Sequence, residues 1–421
     1  MANDLLDYHD ALHTLLETHT PLQRHEDVAL AALNHRMLAQ DVAVQHNVPE
    51  FDNSAMDGYA INGNALTQWH VVHRIAAGDA GASLTLQPGQ AARIFTGAPV
   101  PQGTTAVVMQ EKVTHNDAAD TNGGPTHIHL QAGETIQDGQ HIRRRAEELR
   151  AGDVLLTADQ RITPATIGLL AGQGYTHACV HAQVRVTVFS SGNELVPPGQ
   201  PLGPGQIYDS NRIMLIAWLQ SLGYAVTDGG NLPDQLAPTR EALARAAGES
   251  DAIVCSGGVS VGEEDHLKNA LTEVGELIQW RLFIKPGKPF TWGRIDRPDH
   301  TCRVFMLPGN PVSSLVTFQQ LALPAMQRLT GLSAEGARPM QWKAQAAFTR
   351  NKPEPRREFV RVTLTPNRGD SPGQWHVRPV AQQGSNMLSG AVHANALAEV
   401  PPGMLVQEGD TLTVYPLFNQ I

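Results

Sequence analysis

Cysteine is scarce in this chain: Cys179, Cys255 and Cys302 are the only three in 421 residues, odd in number and far apart. That pattern fits buried free thiols in a reducing compartment and excludes a Cys-x-x-Cys zinc or redox motif. Long apolar runs are also missing. The longest, Ile213 to Leu219, has seven residues, against the ~20 that a membrane-spanning helix needs. Met1 to Thr20 lacks a basic segment followed by an apolar one, so the chain reads as unsecreted, cytoplasmic and without a membrane partner. Positive charge is short as well. The 31 Lys and Arg against 41 Asp and Glu leave a formal charge of −10, which argues against broad capture of nucleic acid. Turn formers, by contrast, are plentiful. With 38 Gly and 28 Pro the composition points away from a coiled coil or helical bundle. At roughly 150 residues per domain, the length suggests about three domains.

Apolar residues Leu5, Tyr8, Leu12, Leu15 and Leu16 recur at helical spacing, and a second helical stretch is expected from about Leu30 to Leu38. Between residues 46 and 140 the pattern changes to short strands at Trp69 to Ile75, Ala91 to Phe95 and Ala106 to Met109, separated by Gly/Pro turns. A strand at Val154 to Leu156 and a helix opened by Thr163-Pro164 then lead back to the N-terminal part. From about Val184 to Thr330 strands and helices alternate, as in a parallel sheet covered by helices. After Gly331 only strands are expected, at Trp342 to Phe348, Phe359 to Leu364, Trp375 to Pro379 and Thr411 to Tyr415, which suggest a small barrel. The fold class is α/β plus β in a multidomain chain. Its parts are a helical linking domain (1–45 with 141–177), a β-rich domain (46–140), a three-layer α/β domain (178–331) and a C-terminal β-barrel (332–421).

Three loops stand out in the α/β segment. They are Ser190 to Glu194, Ser256 to Asp265, which includes Gly257, Gly258 and Ser260, and Leu307 to Ser314, which includes Pro308, Gly309 and Asn310. In a parallel sheet such loops share the carboxyl edge, where glycines let backbone N–H groups approach an anion. Any one alone reads equally well as a strand-to-helix turn, since neither a Walker A nor a G-x-G-x-x-G pattern occurs. Three in succession favour a phosphate site. Lys285-Pro286-Gly287-Lys288-Pro289 sets two cations on a stiffened chain, either a phosphate clamp or a solvated turn. Glu194, Asp234 and Asp265 offer oxygen ligands for a hard cation such as Mg²⁺. Phe51 to Ala60 and Arg143-Arg144-Arg145 allow both a binding and a plain structural reading. His127 and His129 lack a third ligand and read as surface residues.

Five segments, in this order, carry a family resemblance: Asp52 to Ala60, Ile94 to Ala98, Gly257 to Gly262, Lys285 to Pro289 and Leu307 to Ser313. With them the whole chain resembles the molybdopterin molybdenumtransferases, the MoeA proteins, whose animal and plant relatives include the gephyrin E domain. The resemblance makes the α/β part a molybdopterin-binding domain within an elongated four-part subunit. It implies a homodimer with its active site in a cleft between subunits. The implied reaction joins molybdate to adenylylated molybdopterin with release of AMP and needs Mg²⁺. A molybdopterin adenylyltransferase is a candidate partner. By the same resemblance Asp57, Thr96, Glu148, Asp234, Lys285 and Lys288 are catalytic, and Glu194 and Asp265 hold the metal. Ser256, Gly257, Gly258, Ser260, Pro308, Gly309 and Asn310 bind substrate. Arg357 and Ser385 are expected in the oxyanion pocket, although Arg357 also fits a solvent-facing role among its charged neighbours.

The chain departs from the family pattern in two places. Arg145-Ala146-Glu147-Glu148 replaces the usual Arg-Gly-Glu-Asp, and Ser191-Gly192-Asn193-Glu194 the usual Thr-Gly-Asp-Glu. A tungstate-handling paralogue, a nucleotide pyrophosphatase and a non-catalytic gephyrin-like scaffold are the rival readings. Retention of the acidic and lysine positions weighs against the scaffold.

Overall fold

The computed structural model describes residues 5–79, 83–115, 125–258, 266–367 and 374–418. The described chain falls into two compact units, one within Met1–Gln40, Asp159–Ile167 and His177–Ile421, the other within Asp41–Ala158 and Gly168–Thr176.

The first unit is organised by a seven-stranded sheet. Its order is Leu5–Leu6, Glu276–Leu282, Pro289–Asp296, Thr301–Leu307, Ala252–Ser256, Arg185–Ser191 and Ala225–Leu232. The last four run parallel, as the alternation of strands and helices requires. Pro289–Asp296 is antiparallel to both of its neighbours, so the sheet is mixed. That strand and Glu276–Leu282 escape the sequence pattern because a local hairpin needs no crossover helix. Ala252–Ser256 lies at the centre and is buried at every position, as a strand covered on both faces must be.

Apolar clusters fill both faces of this sheet. The Tyr8–Thr18 helix contributes Tyr8, Ala11, Leu12, Leu15 and Leu16 to one of them, and Asp7 caps it by accepting the His9 N–H at 2.8 Å. The stretch from Leu30 to Leu38 is not a helix. It holds one 3-10 turn, Leu30–Ala32, after the His25–Ala29 strand. His35 adopts φ +65°, which no right-handed helix tolerates, while Leu33, Met37 and Leu38 still reach the interior. The helical stretch after the Thr301–Leu307 strand consists of Pro311–Thr317, a π turn at Phe318–Ala322 and Leu323–Leu329. The widened turn precedes Pro324, which has no N–H to donate.

Five strands close the C-terminal barrel: Arg357–Pro366, Trp375–Pro379, Trp342–Ala346, Thr411–Pro416 and Ala396–Val400, with the last returning to the first. The alanine-rich Ala396–Val400 strand is missed by the sequence pattern. Ile284–Lys285 pairs alongside the Arg357–Pro366 strand, which ties the lysine segment to the barrel.

The second unit holds a six-stranded sheet in the order Ala106–Met109, Gly58–Ile61, Gln90–Ile94, Gln68–Ile75, His127–Leu130 and Val113–His115. Trp69, Tyr59, Ile61 and Val108 pack on one face and Ala60, Ile94 and Val107 on the other.

Candidate functional site

A cleft of about 1020 Å³ opens in the first unit at the carboxyl edge of the parallel strands. Each of the three loops singled out from the sequence reaches it: Ser191 and Glu194 from the first, Ser256, Gly257 and Gly258 from the second, and Pro308, Gly309 and Asn310 from the third. The parallel register brings them together, since Phe189 lies beside Cys255 and Cys255 beside Met306 one step before the loops begin.

Close approach makes the glycines obligatory. Gly257 adopts φ +97°, and a Cβ there would lie 2.5 Å from the Ser191 carbonyl oxygen. Its N–H donates to the Leu307 carbonyl at 3.0 Å, which couples the second loop to the third. Among the described residues nothing accepts the N–H groups of Gly309 and Asn310, so both are available to an anion.

The lysine segment lines the cleft through Lys285 to Pro289. Gly287, at φ +104°, leaves no room for a Cβ against Thr317. Lys285 Nζ donates to Glu354 Oε2 at 2.8 Å and lies 3.3 Å from Glu358 Oε1. The hydrogen bond to Glu354 raises the Lys285 pKa against the opposing effect of burial, with the Glu358 charge adding to it. Burial works to raise the Glu354 carboxyl, but Lys285 and Arg356 outweigh it and hold that group below its ordinary value. Lys288 is exposed and pairs with no carboxylate among the described residues. One lysine is therefore internally neutralised, and the other is unpaired among the described residues.

Arg357 does not line the cleft. Its guanidinium pairs with Glu399 and with Asp7 Oδ2 at 3.1 Å. Contrary to the expectation that it supplies the oxyanion pocket, those two carboxylates take up its guanidinium, while Arg356 and Arg361 line the cleft. Arg361 is almost wholly buried. It donates through Nε and Nη2 to the Gln382 carbonyl and through Nη2 to that of Gly384 at 3.1 Å, and burial lowers its pKa. Its Nη1 makes no hydrogen bond among the described residues. Ser385 lines the same wall as expected, and its carbonyl accepts the Val312 N–H at 2.9 Å.

Glu194 and Asp234 follow the two neighbouring strands at one end of the sheet, Arg185–Ser191 and Ala225–Leu232. Glu194 lines the cleft and folds over Gly192, whose Cβ would fall 2.3 Å from Glu194 Oε2. Asp234 and Asn193 clasp each other, Asn193 N–H to Asp234 Oδ2 at 3.2 Å and Asp234 N–H to Asn193 Oδ1 at 3.4 Å. Ser260 and Asp265 lie outside the described residues. Among the described residues no three His, Cys, Asp or Glu side chains converge as a metal site. Asp209, which no motif in the sequence singles out, is buried in the cleft floor, where it accepts from Ser190 Oγ at 2.6 Å and Arg212 Nε at 2.8 Å.

Asp57, Thr96 and Glu148 belong to the second unit. The Thr96 N–H and Oγ1 both donate to Asp57 Oδ1 at 2.8 Å, and these bonds hold the Asp57 pKa below its ordinary value. Glu148 is exposed, and its N–H donates to the Val48 carbonyl at 2.9 Å.

Three family models cover most of the chain. The MoeA N-terminal region (domain I and II) matches residues 6–174, the probable molybdopterin binding domain 187–328, and the MoeA C-terminal region (domain IV) 343–417. A molybdopterin molybdenumtransferase of Haemophilus influenzae is 38% identical over 396 residues, covering 92% of each chain. One of Bacillus subtilis is 32% identical over 389 residues, covering 90% of this chain and 86% of that protein. Two solved MoeA protein structures from Pyrococcus horikoshii superpose with TM-scores of 0.77 and 0.79 at 27% and 24% identity. They cover 99% and 98% of this chain and all of theirs. With its barrel, its mixed sheet and its three matched regions in order, the chain belongs to the MoeA family.

Proposed function

We propose that this protein is a molybdopterin molybdenumtransferase, which inserts molybdate into adenylylated molybdopterin and releases AMP during molybdenum cofactor biosynthesis. The observation that carries the reading is the cleft itself, where three glycine loops, a lysine clamp and a buried guanidinium face one another. The N–H groups of Gly309 and Asn310, the Ser256 hydroxyl and Lys288 bind the substrate phosphates. Lys285 joins them when phosphate displaces Glu354. As the anhydride breaks, negative charge develops on the departing phosphate, and these fixed donors and cations stabilise it without reorganising. Arg361, through Nη1, and Ser385 hold molybdate on the barrel wall. Asp57, Thr96 and Glu148 act from the second unit. No helix among the described residues is long and apolar enough to cross a membrane, in keeping with a cytoplasmic enzyme.

The oxygen donors fit Mg²⁺, which is commonly held by one or two carboxylates together with substrate phosphates. Glu194 and Asp265 would hold it, and the ion would supply charge neutralisation at the anhydride. Homodimerisation and delivery of substrate by an adenylyltransferase complete the proposal. Purified adenylylated molybdopterin, molybdate and Mg²⁺ should yield AMP and cofactor with this protein. Absence of AMP under those conditions would refute the assignment, and a monomeric mass by light scattering would refute the dimer.

A further inference from the structure

Asn211, the second residue of the Ser210–Ser221 helix, is only 8% exposed and lies beneath the cleft. Its Nδ2 donates to Ser256 Oγ at 2.8 Å and to the Gly309 carbonyl at 2.7 Å. A carbonyl can only accept, so the amide orientation is determined: both Nδ2 hydrogens are spent on two different loops. Asn211 Oδ1 is left buried without a partner among the described residues, a costly arrangement that calls for an explanation. Ser256 Oγ accepts from Asn211 and donates to no group among the described residues, so its own hydrogen is free to point into the cleft.

We propose that Asn211 is a positioning residue for anion capture. It sets the spacing between the Ser256 and Gly309 loops and turns the Ser256 hydroxyl toward a phosphate of the ligand. The inference rests on the proposed function, since that reading places phosphate against these loops. A side chain with one donor could hold one loop but not both, and an acid would set a carboxylate oxygen against the Gly309 carbonyl.

Calorimetric titration with AMP tests the idea on the full chain. Asn211→Ala and Ser256→Ala should each weaken AMP binding at least tenfold, and the double variant should lose clearly less than the sum of the two, because the Ser256 hydroxyl is common to both. Asn211→Leu keeps most of the volume and loses the donor without adding a charge, so it should show the same loss with a melting temperature close to wild type. Wild-type affinity in Asn211→Ala, or additive losses in the double variant, would overturn the proposal. Unfolding of Asn211→Leu would make the residue structural and overturn it as well. Failure of the wild type itself to bind AMP would refute both this inference and the function beneath it.

Discussion

On the α/β wall of the cleft the groups offered to a ligand are backbone amides and small side chains, whereas the barrel wall offers Arg356, Arg361, Glu358 and Ser385. The first wall is rigid because its loops leave no space for a Cβ at Gly257. The second is held by ion pairs, Lys285 with Glu354 and Glu358, and Arg350 with Glu358. Steric rigidity is preorganised and insensitive to salt, while exchangeable ion pairs can re-form around an incoming anion at little cost. The two walls should therefore respond differently to substitution.

The largest effect is expected on the rigid wall. Gly257→Ala sets a Cβ 2.5 Å from the Ser191 carbonyl and forces φ +97° on a residue that avoids it. The loops must separate, and kcat/KM for AMP release should fall by about 100-fold, or ~2.7 kcal/mol of transition-state stabilisation. Gly152 serves as the control, because at φ +94° it has open space around it. Gly152→Ala should leave turnover near wild type. Equal losses at both positions would mean that backbone strain alone matters and that close approach does not.

Next in size is the contrast between two arginines four residues apart on the barrel wall. Arg361→Ala removes a guanidinium that lines the cleft and whose Nη1 makes no hydrogen bond among the described residues, and should raise the molybdate concentration for half-maximal insertion at least tenfold, with AMP affinity nearly unchanged. Arg357→Ala should leave the molybdate titration alone. It leaves Glu399, which is 6% exposed, with only the Tyr415 hydroxyl at 2.6 Å and His9 at 3.4 Å, and breaking a buried pair costs up to roughly 3–5 kcal/mol of stability. Denaturant unfolding and molybdate titration on both variants separate the roles, and a shifted molybdate midpoint in Arg357→Ala alone would reverse the assignment.

This pair also shows what the sequence can and cannot convey. Gly257, Gly309 and the lysine segment were legible because their neighbours in the chain carry the signal: a strand end, then glycine, then a helix start. Which of Arg356, Arg357 and Arg361 faces the cleft depends on the strand's phase and on partners such as Asp7 and Glu399, 350 and 42 positions away. Period-two alternation would group Arg357 with Arg361 and set Arg356 apart, so it does not predict the lining that is observed. Asn211 was hidden for a related reason, since as a cap-region residue its local role already accounts for it. The Ala396–Val400 strand is buried at every position and has no alternation to reveal it. Asn193, read as a missing charge, proves to clasp Asp234 instead.

The ion-pair wall also predicts a pH effect. Glu354 has its pKa lowered below the ordinary 4.5 through Lys285 and Arg356. A depressed carboxyl contributes stability that is present above the unfolded value and is lost as pH falls through the folded one. The Glu354 to Lys285 link should therefore hold at neutral pH and dissolve below about pH 4.5. Glu354→Gln should flatten the acid limb of the stability profile. It should also tighten AMP binding several-fold at pH 7 by releasing Lys285 from its internal anion. An unchanged acid limb together with unchanged affinity would show that Lys285 is free in solution, and the difference between it and Lys288 would vanish.

The smallest effect lies away from the cleft, at a departure from the family pattern in the second unit. Ala146 adopts φ +60° where the family usually has glycine. An alanine in the left-handed region costs roughly 1–2 kcal/mol, partly offset because glycine loses more freedom on folding. The turn is held from outside: the Ala146 N–H donates to the Pro49 carbonyl at 3.0 Å, and Asp52 accepts from the Arg145 N–H at 2.8 Å and from Arg144 at 2.7 Å. Those bonds outweigh the strain and fix the backbone that presents Glu148. Ala146→Gly should relieve the strain and stabilise the second unit by about 0.5–1 kcal/mol, seen as a higher denaturation midpoint. Turnover should not change, since the turn keeps its conformation. A destabilised Ala146→Gly would mean that chain entropy outweighs strain at this turn. A gain in turnover would mean instead that strain at Ala146 displaces Glu148 from its working position.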